Sequence, residues 1–563
     1  MIHVNWISLF LFFGLLLAAT PILGYFFSQI VQGRTKFFGW DALAVENRVY
    51  RLLGIDAHEE MGWKKYLKAL LLFNIAGWAF FFLILLLQGI LPLNPQQFDN
   101  VPWPLAFNIA SSFVTNTNWQ AYAGETTLSN FSQMAGCTVQ NFLSAATGFC
   151  ALAALIRGLT RKESLTIGNF WTDLTKCLLY ILLPLSIGLA LLLTFEGTVQ
   201  TLQPYLTIQT LEGEKQALPL GPVASQSAIK QLGSNGGGFY NVNSAHPFEN
   251  PTPLTNFAEL LAILLIPAAL PYMFGQLVGM KNQGWTLFFV MFGLWGLSTL
   301  LMLLISYQPS PLYGTIPLEG IETRIGITNS AVWASATTAT SNGSVNAMHS
   351  SFSPLAGGIA LMNMLLGEVI FGGVGVGLCS MLFFVFFTVF LAGLMVGRTP
   401  EYLGKKIERR EIKWVMAGII IPSAAILIGT SFATIHPEAL KSLSQAGPHG
   451  LTELLYAFAS PAANNGSSFA GFNSDTFFYN LSLGAIMLAC RCAILIPALA
   501  IAGSLAQKNI SPRNKGTFNT ETVLFGVLLA VVILLIGTLT FFPALVLGPI
   551  VEHFLMINKV LIP

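Results

Sequence analysis

Leu232-Gly-Ser-Asn-Gly-Gly-Gly-Phe239 is a polar, glycine-rich turn that directly follows a short apolar segment. Similar stretches occur at three other places, namely Phe113-Val-Thr-Asn-Thr-Asn-Trp-Gln120, Thr338-Ala-Thr-Ser-Asn-Gly-Ser-Val345 and Ala462-Ala-Asn-Asn-Gly-Ser-Ser-Phe469. Matching Asn116, Asn235, Asn342 and Asn465 gives successive separations of 119, 107 and 123 residues. These spacings predict a long-period internal repeat, and this repeat decides the fold.

The chain as a whole is too apolar for a soluble protein. Apolar residues make up 54% of the 563 residues and charged residues only 9%, against about a quarter charged in a soluble domain. About ten runs approach the roughly 20 apolar residues that cross a bilayer. They cover approximately 6–30, 66–91, 128–155, 176–196, 256–279, 285–307, 360–397, 412–435, 476–503 and 522–548. The first run has no basic residues ahead of it and no small-residue cleavage site, so we expect a retained helix rather than a signal peptide.

The repeated turns lie in the long connections after spans two, four, six and eight. We therefore predict an all-α polytopic membrane protein with four helix/pore-loop/helix repeats around a pseudo-fourfold ion pathway and one extra helix at each end. The expected units are residues 1–65 (first helix and cytoplasmic loop), 66–155, 176–280, 285–397 and 412–503 (pore repeats 1 to 4) and 521–563 (last helix and tail). The seventh run is too long for a simple span, and its five glycines and Glu368 within 367–377 predict a broken helix.

Basic residues gather in the short connections, which predicts that these connections are cytoplasmic and that both termini lie outside. The residues concerned are Lys36, Arg48, Arg51, Lys64, Lys65, Arg157, Arg161, Lys162, Lys176, Lys281, the run from Arg398 to Lys413, Lys508, Arg513 and Lys515. We interpret these clusters as a topological signal in the lipid bilayer and not as a nucleic-acid site.

Four polar turns at membrane depth indicate a shared, water-lined axis, because unsatisfied backbone groups are costly in hydrocarbon. Carbonyl oxygens that meet at such an axis can replace the hydration shell of a cation. Gly236, Gly343 and Gly466 follow asparagine at one position of the motif, and glycine can turn a carbonyl inward by adopting a positive φ. Repeat 1 has Thr117 or Asn118 instead, which predicts an asymmetric ring.

The turns contain no charged residue. Neutral oxygens suit a large monovalent ion such as potassium, whereas a ring of carboxylates favours divalent ions. Taken singly, each Asn-Gly pair is better explained as a surface turn. Four recurrences in register after an apolar half-helix favour the filter instead.

The sequence resembles a known family over essentially its full length. This family comprises the potassium-binding pore subunits (KdpA) of the bacterial potassium-transporting P-type ATPase, the Kdp complex. The matching stretches are residues 115–120, 233–253 (GSNGGGFYNVNSAHPFENPTP), 341–348, Gly367-Glu-Val-Ile-Phe-Gly-Gly373, Gly397-Arg-Thr-Pro-Glu-Tyr-Leu-Gly-Lys-Lys406 and 463–467. Ser234 stands where family members often have threonine, which leaves the main-chain carbonyl in place.

The resemblance implies that K⁺ is coordinated at Asn116, Thr117, Asn118, Ser234, Asn235, Gly236, Ser341, Asn342, Gly343, Asn464, Asn465 and Gly466. It also implies that a separate catalytic P-type ATPase subunit hydrolyses ATP and receives the ion through an intramembrane tunnel, with small accessory membrane subunits completing the complex. In agreement, the chain has no Asp-Lys-Thr-Gly-Thr motif, and Gly404-Lys405-Lys406 lacks the rest of a Walker loop. We therefore expect no ATP site and no catalytic site here, and a location in the bacterial inner membrane.

Six further residues are candidates for a gate or an ion pathway: Gln120, Glu368, Gly372, Gly373, Arg398 and Arg491. An acid at membrane depth is a functional candidate, so Glu368 is expected to act on the ion path or to pair with a backbone donor at the break. Arg491 is expected to form a salt bridge or a cationic barrier behind the filter. Arg398 is either a topological anchor or a contact to the partner subunit, and Gln120 resembles a family position associated with ion affinity.

Three residues near the turns have two possible roles each. Glu125 and Glu249 either attract cations at the outer mouth or cap loops. His246 is interpreted as a structural hydrogen-bond donor and not as a metal ligand, because no second ligand stands at metal spacing.

Two other functions compete with that of a pump subunit. A stand-alone, gradient-driven potassium transporter or channel with the same four repeats would need the same ring. A membrane-embedded enzyme has little support, since no Ser-His-Asp, HExxH or carboxylate-pair arrangement occurs at a useful spacing.

Overall fold

The computed structural model describes residues 4–34, 42–512 and 518–560, so that Lys36, Arg513 and Lys515 lie outside the described residues. Within these ranges ten helices are long and apolar enough to cross a membrane. Eight of them belong to four similar units, and the first and last spans flank these units. The predicted all-α, ten-span architecture is confirmed.

The elements follow one another in a regular order. The chain begins with α1 (Trp6–Val31) and α2 (Ala42–Leu53). Repeat 1 consists of α3 (Trp63–Leu87), α4 (Trp103–Val114), α5 (Gly124–Thr127) and α6 (Val139–Thr160). Repeat 2 consists of α7 (Phe170–Cys177), α8 (Leu183–Phe195), strands β1 (Leu206–Gln209) and β2 (Lys215–Leu218), α9 (Val223–Leu232) and α10 (Pro253–Leu277).

The second half repeats the pattern. Repeat 3 consists of α11 (Lys281–Ser306), α12 (Gly326–Ala339), α13 (Pro354–Leu365) and α14 (Val376–Val396), and strands β3 (Glu401–Tyr402) and β4 (Lys405–Lys406) follow it. Repeat 4 consists of α15 (Arg409–Ile435), α16 (Pro437–Leu440), α17 (Gly447–Ala462) and α18 (Phe477–Ala506). The chain ends with α19 (Val523–Leu545) and α20 (Val551–Ile557).

One helix in each repeat is too short to cross a membrane. These pore helices are α4, α9, α12 and α17, and they contain 12, 10, 14 and 16 residues. At 1.5 Å per residue such helices are roughly 15–24 Å long, less than the ~30 Å hydrocarbon core. Each pore helix therefore delivers a polar turn to membrane depth.

The second span of repeat 3 is interrupted, as its glycine content predicts. Helix α13 ends at Leu365, and α14 begins at Val376. In the loop between them, Phe371 has a φ of 63° and Gly375 a φ of 79°. These values lie outside the helical region, so the break is built into the backbone.

Packing and ion pairs hold the units together. Helix α18 packs against α4, α6 and α15, while α1 lies along α10. The basic loops contact one another at one end of the molecule, where Arg161 pairs with Glu60 at 2.7 Å and Lys508 with Glu411 at 2.8 Å. The β1–β2 hairpin, in the connection before α9, is not predicted from the sequence.

Candidate ion-binding filter

Each pore helix ends in a turn with the same backbone conformation. We define turn 1 as residues 116–118, turn 2 as 234–236, turn 3 as 341–343 and turn 4 as 464–466. The first and third residue of every turn have a positive φ, from 46° at Asn464 to 102° at Gly466. The middle amide of each turn donates to the carbonyl five residues earlier, as Asn235 does to Lys230 at 2.9 Å. Three-residue turns of one geometry thus occur in all repeats.

This shared geometry corrects the register expected for repeat 1. The amide of Thr117 donates to the Ser112 carbonyl at 2.9 Å, as the amides of Asn235, Asn342 and Asn465 donate in their own turns. Thr117, not Asn116, is therefore equivalent to Asn235. Asn118 occupies the glycine position with a φ of 51°, which asparagine tolerates better than most residues. Repeat 1 differs in side chains and keeps the backbone.

The turns contact one another around a closed ring. A Cβ atom on Gly236 would overlap the carbonyl oxygen of Asn342, one on Gly343 that of Asn465, and one on Gly466 that of Thr117. Turn 1 closes the ring, because Asn116 Nδ2 donates to the Ser234 carbonyl at 2.8 Å. Only a residue without a Cβ fits at these three contacts.

The ring is buried and uncharged. Eleven of its twelve residues are buried, and Gly466 is partly exposed. The nine residues other than glycine are each at most 4% exposed. The carboxyl ends of all four pore helices meet the ring, and each such end carries a partial negative charge of about half an elementary charge. Carbonyl groups and helix ends together favour a cation over an anion.

A cavity of about 630 Å³ lies against one side of the ring. Asn118, Gly343 and Gly466 of turns 1, 3 and 4 line it, and so does Gly237, which directly follows turn 2. Gln120 also lines the cavity, and its side-chain amide pairs with the backbone of Gly238, with Nε2 donating at 2.9 Å and Oε1 accepting at 3.1 Å. Gln120 thus joins turn 1 to turn 2 at this edge, which we call the outer edge.

The broken span of repeat 3 lies on the opposite side of the ring. A Cβ atom on Gly373 would lie 3.8 Å from Asn116 Nδ2 and 3.9 Å from Ser341 Cβ. Gly372 donates its amide to the Ala339 carbonyl at the end of α12, at 3.2 Å. The glycines of the break therefore lie directly beneath turns 1 and 3.

Glu368 and Arg491 meet in this loop. Glu368 Oε2 accepts from the Gly373 amide at 3.3 Å, and Oε1 lies 3.9 Å from Arg491 Nη1. Arg491 Nη2 also donates to the Ser144 carbonyl at 3.2 Å. Both side chains are buried. The expected salt bridge of Arg491 is therefore present, and Glu368 makes the expected backbone contact as well.

Comparison with known proteins identifies the family to which this architecture belongs. Residues 10–554 match the family model described as "Potassium-transporting ATPase A subunit". The chain belongs to this family. Proteins named "Potassium-transporting ATPase potassium-binding subunit" from Leptospira interrogans (serovar copenhageni) and Pseudomonas aeruginosa are 49% and 51% identical to it. The aligned regions cover 99% of this chain and 99% of the Leptospira protein, and 96% of this chain and 97% of the Pseudomonas protein.

A solved structure shares the fold of this A subunit family member. It is the crystal structure of the potassium transporter TrkH from Vibrio parahaemolyticus, with a TM-score of 0.51. The match covers 78% of this chain and 84% of that chain at 15% sequence identity. This likeness concerns the fold alone.

Some residues near the filter differ from the sequence expectation. Glu249 is fully buried and forms an ion pair with Lys230, so the expectation that it attracts cations at the outer mouth is wrong. Glu125 Oε2 accepts from the Asn241 amide at 2.9 Å, and burial raises the pKa of this carboxyl. His246 Nδ1 accepts from the Phe248 amide at 3.1 Å, so this nitrogen is an acceptor and not the expected donor.

Lys230 and Glu259 were not predicted from the sequence. Lys230 lies in the last turn of α9, and its ammonium pairs with Glu249 behind turn 2. Glu259 is also fully buried and accepts from Ser244 Oγ at 2.7 Å and from Gln231 Nε2 at 2.8 Å. Lys230 stands alone in a short helix and forms no motif, although it closely precedes a predicted filter turn. Glu259 lies in the membrane span α10, where an acid is a functional candidate, and this signal was overlooked.

Arg398 lies far from the ring, after α14. Its side chain is exposed and lines a cavity of about 620 Å³ together with Phe518 and Asn519. Its two readings, as a membrane anchor and as a partner contact, are both compatible with this location.

Proposed function

We propose that this chain is the potassium-binding subunit of an ATP-driven potassium uptake complex in the bacterial inner membrane. In this proposal K⁺ enters from the outer cavity and is coordinated by the residues of turns 1 to 4. A separate catalytic P-type ATPase subunit then receives the ion, and small accessory membrane subunits complete the complex. The four pore repeats, at 66–155, 176–280, 285–397 and 412–503, would be the pseudo-fourfold units of the pathway.

The observation that carries the proposal is the closed, buried ring of uncharged turns. Main-chain carbonyls at this ring can replace the hydration shell of K⁺ without a carboxylate, which would hold a divalent ion more strongly. The close contacts of Gly236 with Asn342 and of Gly343 with Asn465 join neighbouring turns and so limit the diameter of the ring. The names of the full-length relatives agree with this choice of ion.

A route from the ring toward a partner begins at Glu368. A narrow cavity of about 50 Å³ has Glu368 at one wall and extends between α15 and α19, where Pro422, Ile533 and Gly537 line it. Its other walls are mainly apolar and offer few ligands, so in this proposal an ion would pass through it together with water. In this proposal the cavity is the start of an intramembrane tunnel, and Gly372, Gly373, Glu368 and Arg491 form its gate.

The orientation of the chain is part of the proposal. The loops that hold most of the basic residues contact one another, as the Arg161–Glu60 and Lys508–Glu411 pairs illustrate. A single basic face is typical of the cytoplasmic side. Both termini would then be extracytoplasmic, and Arg398 would lie where a cytoplasmic partner can reach it.

Ion-stimulated ATP hydrolysis tests the proposal. The chain is purified in detergent alone and after co-expression with the neighbouring genes of its operon, and hydrolysis is measured with K⁺ and with Na⁺. The proposal predicts hydrolysis in the co-purified complex only, with K⁺ preferred. Gradient-driven K⁺ uptake by the chain alone in liposomes, with no ATPase partner recovered, would instead identify a stand-alone transporter or channel.

A further inference from the structure

The pore helices of repeats 3 and 4 each place a polar aromatic side chain behind the following turn. Trp333 and Tyr456 both stand nine residues before the middle residue of their turn. Trp333 Nε1 donates directly to the backbone carbonyl of Ser344 at 2.9 Å. Tyr456 does not reach the backbone, and its hydroxyl lies 2.9 Å from Ser467 Oγ instead. Turn 4 is therefore supported through a side chain where turn 3 is supported directly.

Turn 4 needs support at this point. Gly466 has a φ of 102° and lacks a Cβ atom, so hydrogen bonds must hold the peptide groups on either side of it. Its own amide donates to Ser460 Oγ at 2.9 Å. Those peptides carry the carbonyls of Asn465 and Gly466. Asn465 Oδ1 closes a local turn by accepting from the Ser467 amide at 3.1 Å and from Ser467 Oγ at 2.6 Å. Ser467 and Ser460 thus both restrain the peptide groups of turn 4.

The orientation of the Asn465 side-chain amide determines which atom donates in each hydrogen bond around Ser467. Asn465 Nδ2 donates to the Thr337 carbonyl at 2.8 Å, so Oδ1 must be the atom that faces Ser467. Ser467 Oγ gives its single proton to Oδ1, rather than to the Met364 sulfur at 3.7 Å. It can then only accept from Tyr456.

The same logic reaches His349. Because the hydroxyl proton of Tyr456 is used toward Ser467, its oxygen accepts from His349 Nδ1, 2.8 Å away. His349 is therefore the Nδ1-protonated tautomer. Nε2 has no hydrogen-bond partner among the described residues, and burial lowers the pKa of His349 to about 4. Neutral His349 therefore donates to Tyr456, Tyr456 donates to Ser467, and Ser467 donates to Asn465 in turn 4. We call these four residues the relay.

The relay connects two repeats. His349 lies a few residues beyond turn 3 and stacks on Phe352 with ring centroids 5.5 Å apart. Tyr456, Ser467 and Asn465 belong to repeat 4, and all four relay side chains are at most 2% exposed. Chains of buried hydrogen bonds strengthen one another, and here the Nδ1 proton of His349 and the hydroxyl protons of Tyr456 and Ser467 each have an acceptor.

We propose that His349, Tyr456 and Ser467 are positioning residues that set the ion preference of turn 4 through the side chain of Asn465. The inference rests on the proposed function, since it assumes that turn 4 coordinates the transported ion. Loss of the relay weakens or removes the hydrogen bond from Ser467 Oγ to Asn465 Oδ1. Turn 4 is then held less firmly and adapts to ions of other sizes.

Paired hydroxyl deletions test this inference in the co-purified complex. Tyr456→Phe removes the middle of the relay. Tyr479→Phe is the matched control, because Tyr479 is equally buried and packs on Phe458 of the same pore helix. The Tyr479 hydroxyl donates to the Ala439 carbonyl at 3.1 Å, away from turn 4. Each substitution deletes one buried hydroxyl, and only one of them reaches the filter.

We expect the K⁺ concentration for half-maximal ATPase stimulation to rise about tenfold in Tyr456→Phe, equivalent to about 1.4 kcal/mol. The preference for K⁺ over Rb⁺ and NH₄⁺ should narrow as well. Tyr479→Phe should keep the ion ranking of the unmodified complex, even if its melting temperature falls. An unchanged ranking in Tyr456→Phe would overturn the inference.

A second variant approaches the relay from its other end. Ser467→Ala should reproduce the altered ranking, and the double variant should be no worse than either single one, because both interrupt one chain. Additive effects would mean that the residues act separately and would overturn the relay. If neither the unmodified nor the Tyr479→Phe complex responds to K⁺, the proposed function fails, and this inference fails with it.

Discussion

The Cα atom of Gly236 in turn 2 packs against the carbonyl oxygen of Asn342 in turn 3, and no side chain fits between them. Gly236 also has a φ of 90°. Gly236→Asp would therefore strain the backbone and displace a carbonyl of the ring, and it would add a charge. We expect discrimination between K⁺ and smaller ions to fall about tenfold or more, equivalent to about 1.4 kcal/mol, while the complex still assembles. Stimulation of ATP hydrolysis by K⁺, Na⁺ and Rb⁺ measures this change.

A second glycine provides the control for this variant. Gly213, in the exposed β1–β2 hairpin, has a φ of 88°, and a Cβ atom there would meet only Gln209 Nε2 at 3.8 Å. Gly213→Asp carries a similar backbone strain and the same charge without touching the ring. Unchanged ion preference in Gly236→Asp, or the same change in Gly213→Asp, would remove the filter assignment.

The pairing of Glu368 with Arg491 makes a second prediction. Replacing one partner leaves the other charge buried and unpaired, which costs about 3–5 kcal/mol. Arg491→Met should therefore lower the melting temperature strongly, and Arg491→Met with Glu368→Gln should recover much of it. If the pair acts on the ion path, K⁺-stimulated hydrolysis should stay low in the double variant.

The Arg157–Asp173 pair is the control for this experiment. Its atoms lie 2.6 Å apart, and it belongs to α6 and α7, away from the ring. A double replacement there should restore both stability and hydrolysis. Full hydrolysis in the Arg491–Glu368 double variant would show a structural role for that pair only.

The spans and the break at residues 367–377 were predictable because both follow from composition over long stretches. The ring residues were predictable as a set, because the same three-residue pattern recurs. The register of repeat 1 was not, since asparagines flank Thr117 on both sides and the shared feature is the backbone. Matching asparagines misaligns the repeats here, because the backbone carbonyl, and not the side chain, is the group that occupies the equivalent position in each turn.

The supports behind the turns could not be predicted. Lys230 meets Glu249 nineteen residues later, and His349 meets Tyr456 across 107 residues. Such contacts depend on how the repeats pack around one another, and no local spacing encodes them. Polar residues in an apolar chain indicate that hydrogen-bond or ion-pair partners exist, but they do not indicate which residues these partners are.

The cluster behind turn 2 makes a third prediction, because Lys230 pairs with Glu249 and also lies close to Glu259, and both carboxylates are buried. Lys230→Met leaves Glu249 without its ion-pair partner and Glu259 with only the smaller effect of Arg324, and it should cost about 3–5 kcal/mol of stability. Glu259→Gln keeps an oxygen for the protons of Ser244 and Gln231, so we expect a change of less than about 1 kcal/mol. Thermal unfolding of both variants in detergent compares them. Equal losses would contradict the assignment of Glu249 as the main partner of Lys230.

His246, in the loop after turn 2, makes the last prediction. Its ring stacks on Tyr240 with centroids 3.7 Å apart, and its neighbours include Phe248 and Arg324. Burial, with a smaller contribution from the charge of Arg324, lowers the pKa of His246 to about 4. The unfolded chain therefore takes up the proton first as the pH falls from about 6.5. The stability that the neutral ring contributes is fully present above pH ~6.5 and is lost progressively toward pH ~4.

His246→Gln removes this titration, although it also removes the stacking. We expect a lower melting temperature at pH 7 and a smaller further loss between pH 7 and pH 4.5 than in the unmodified chain. His349 is present in both proteins, so its own titration cancels in the comparison. Identical pH slopes for the two proteins would show that protonation of His246 is not coupled to the stability of the outer loop, and the stacked ring would then be a packing element alone.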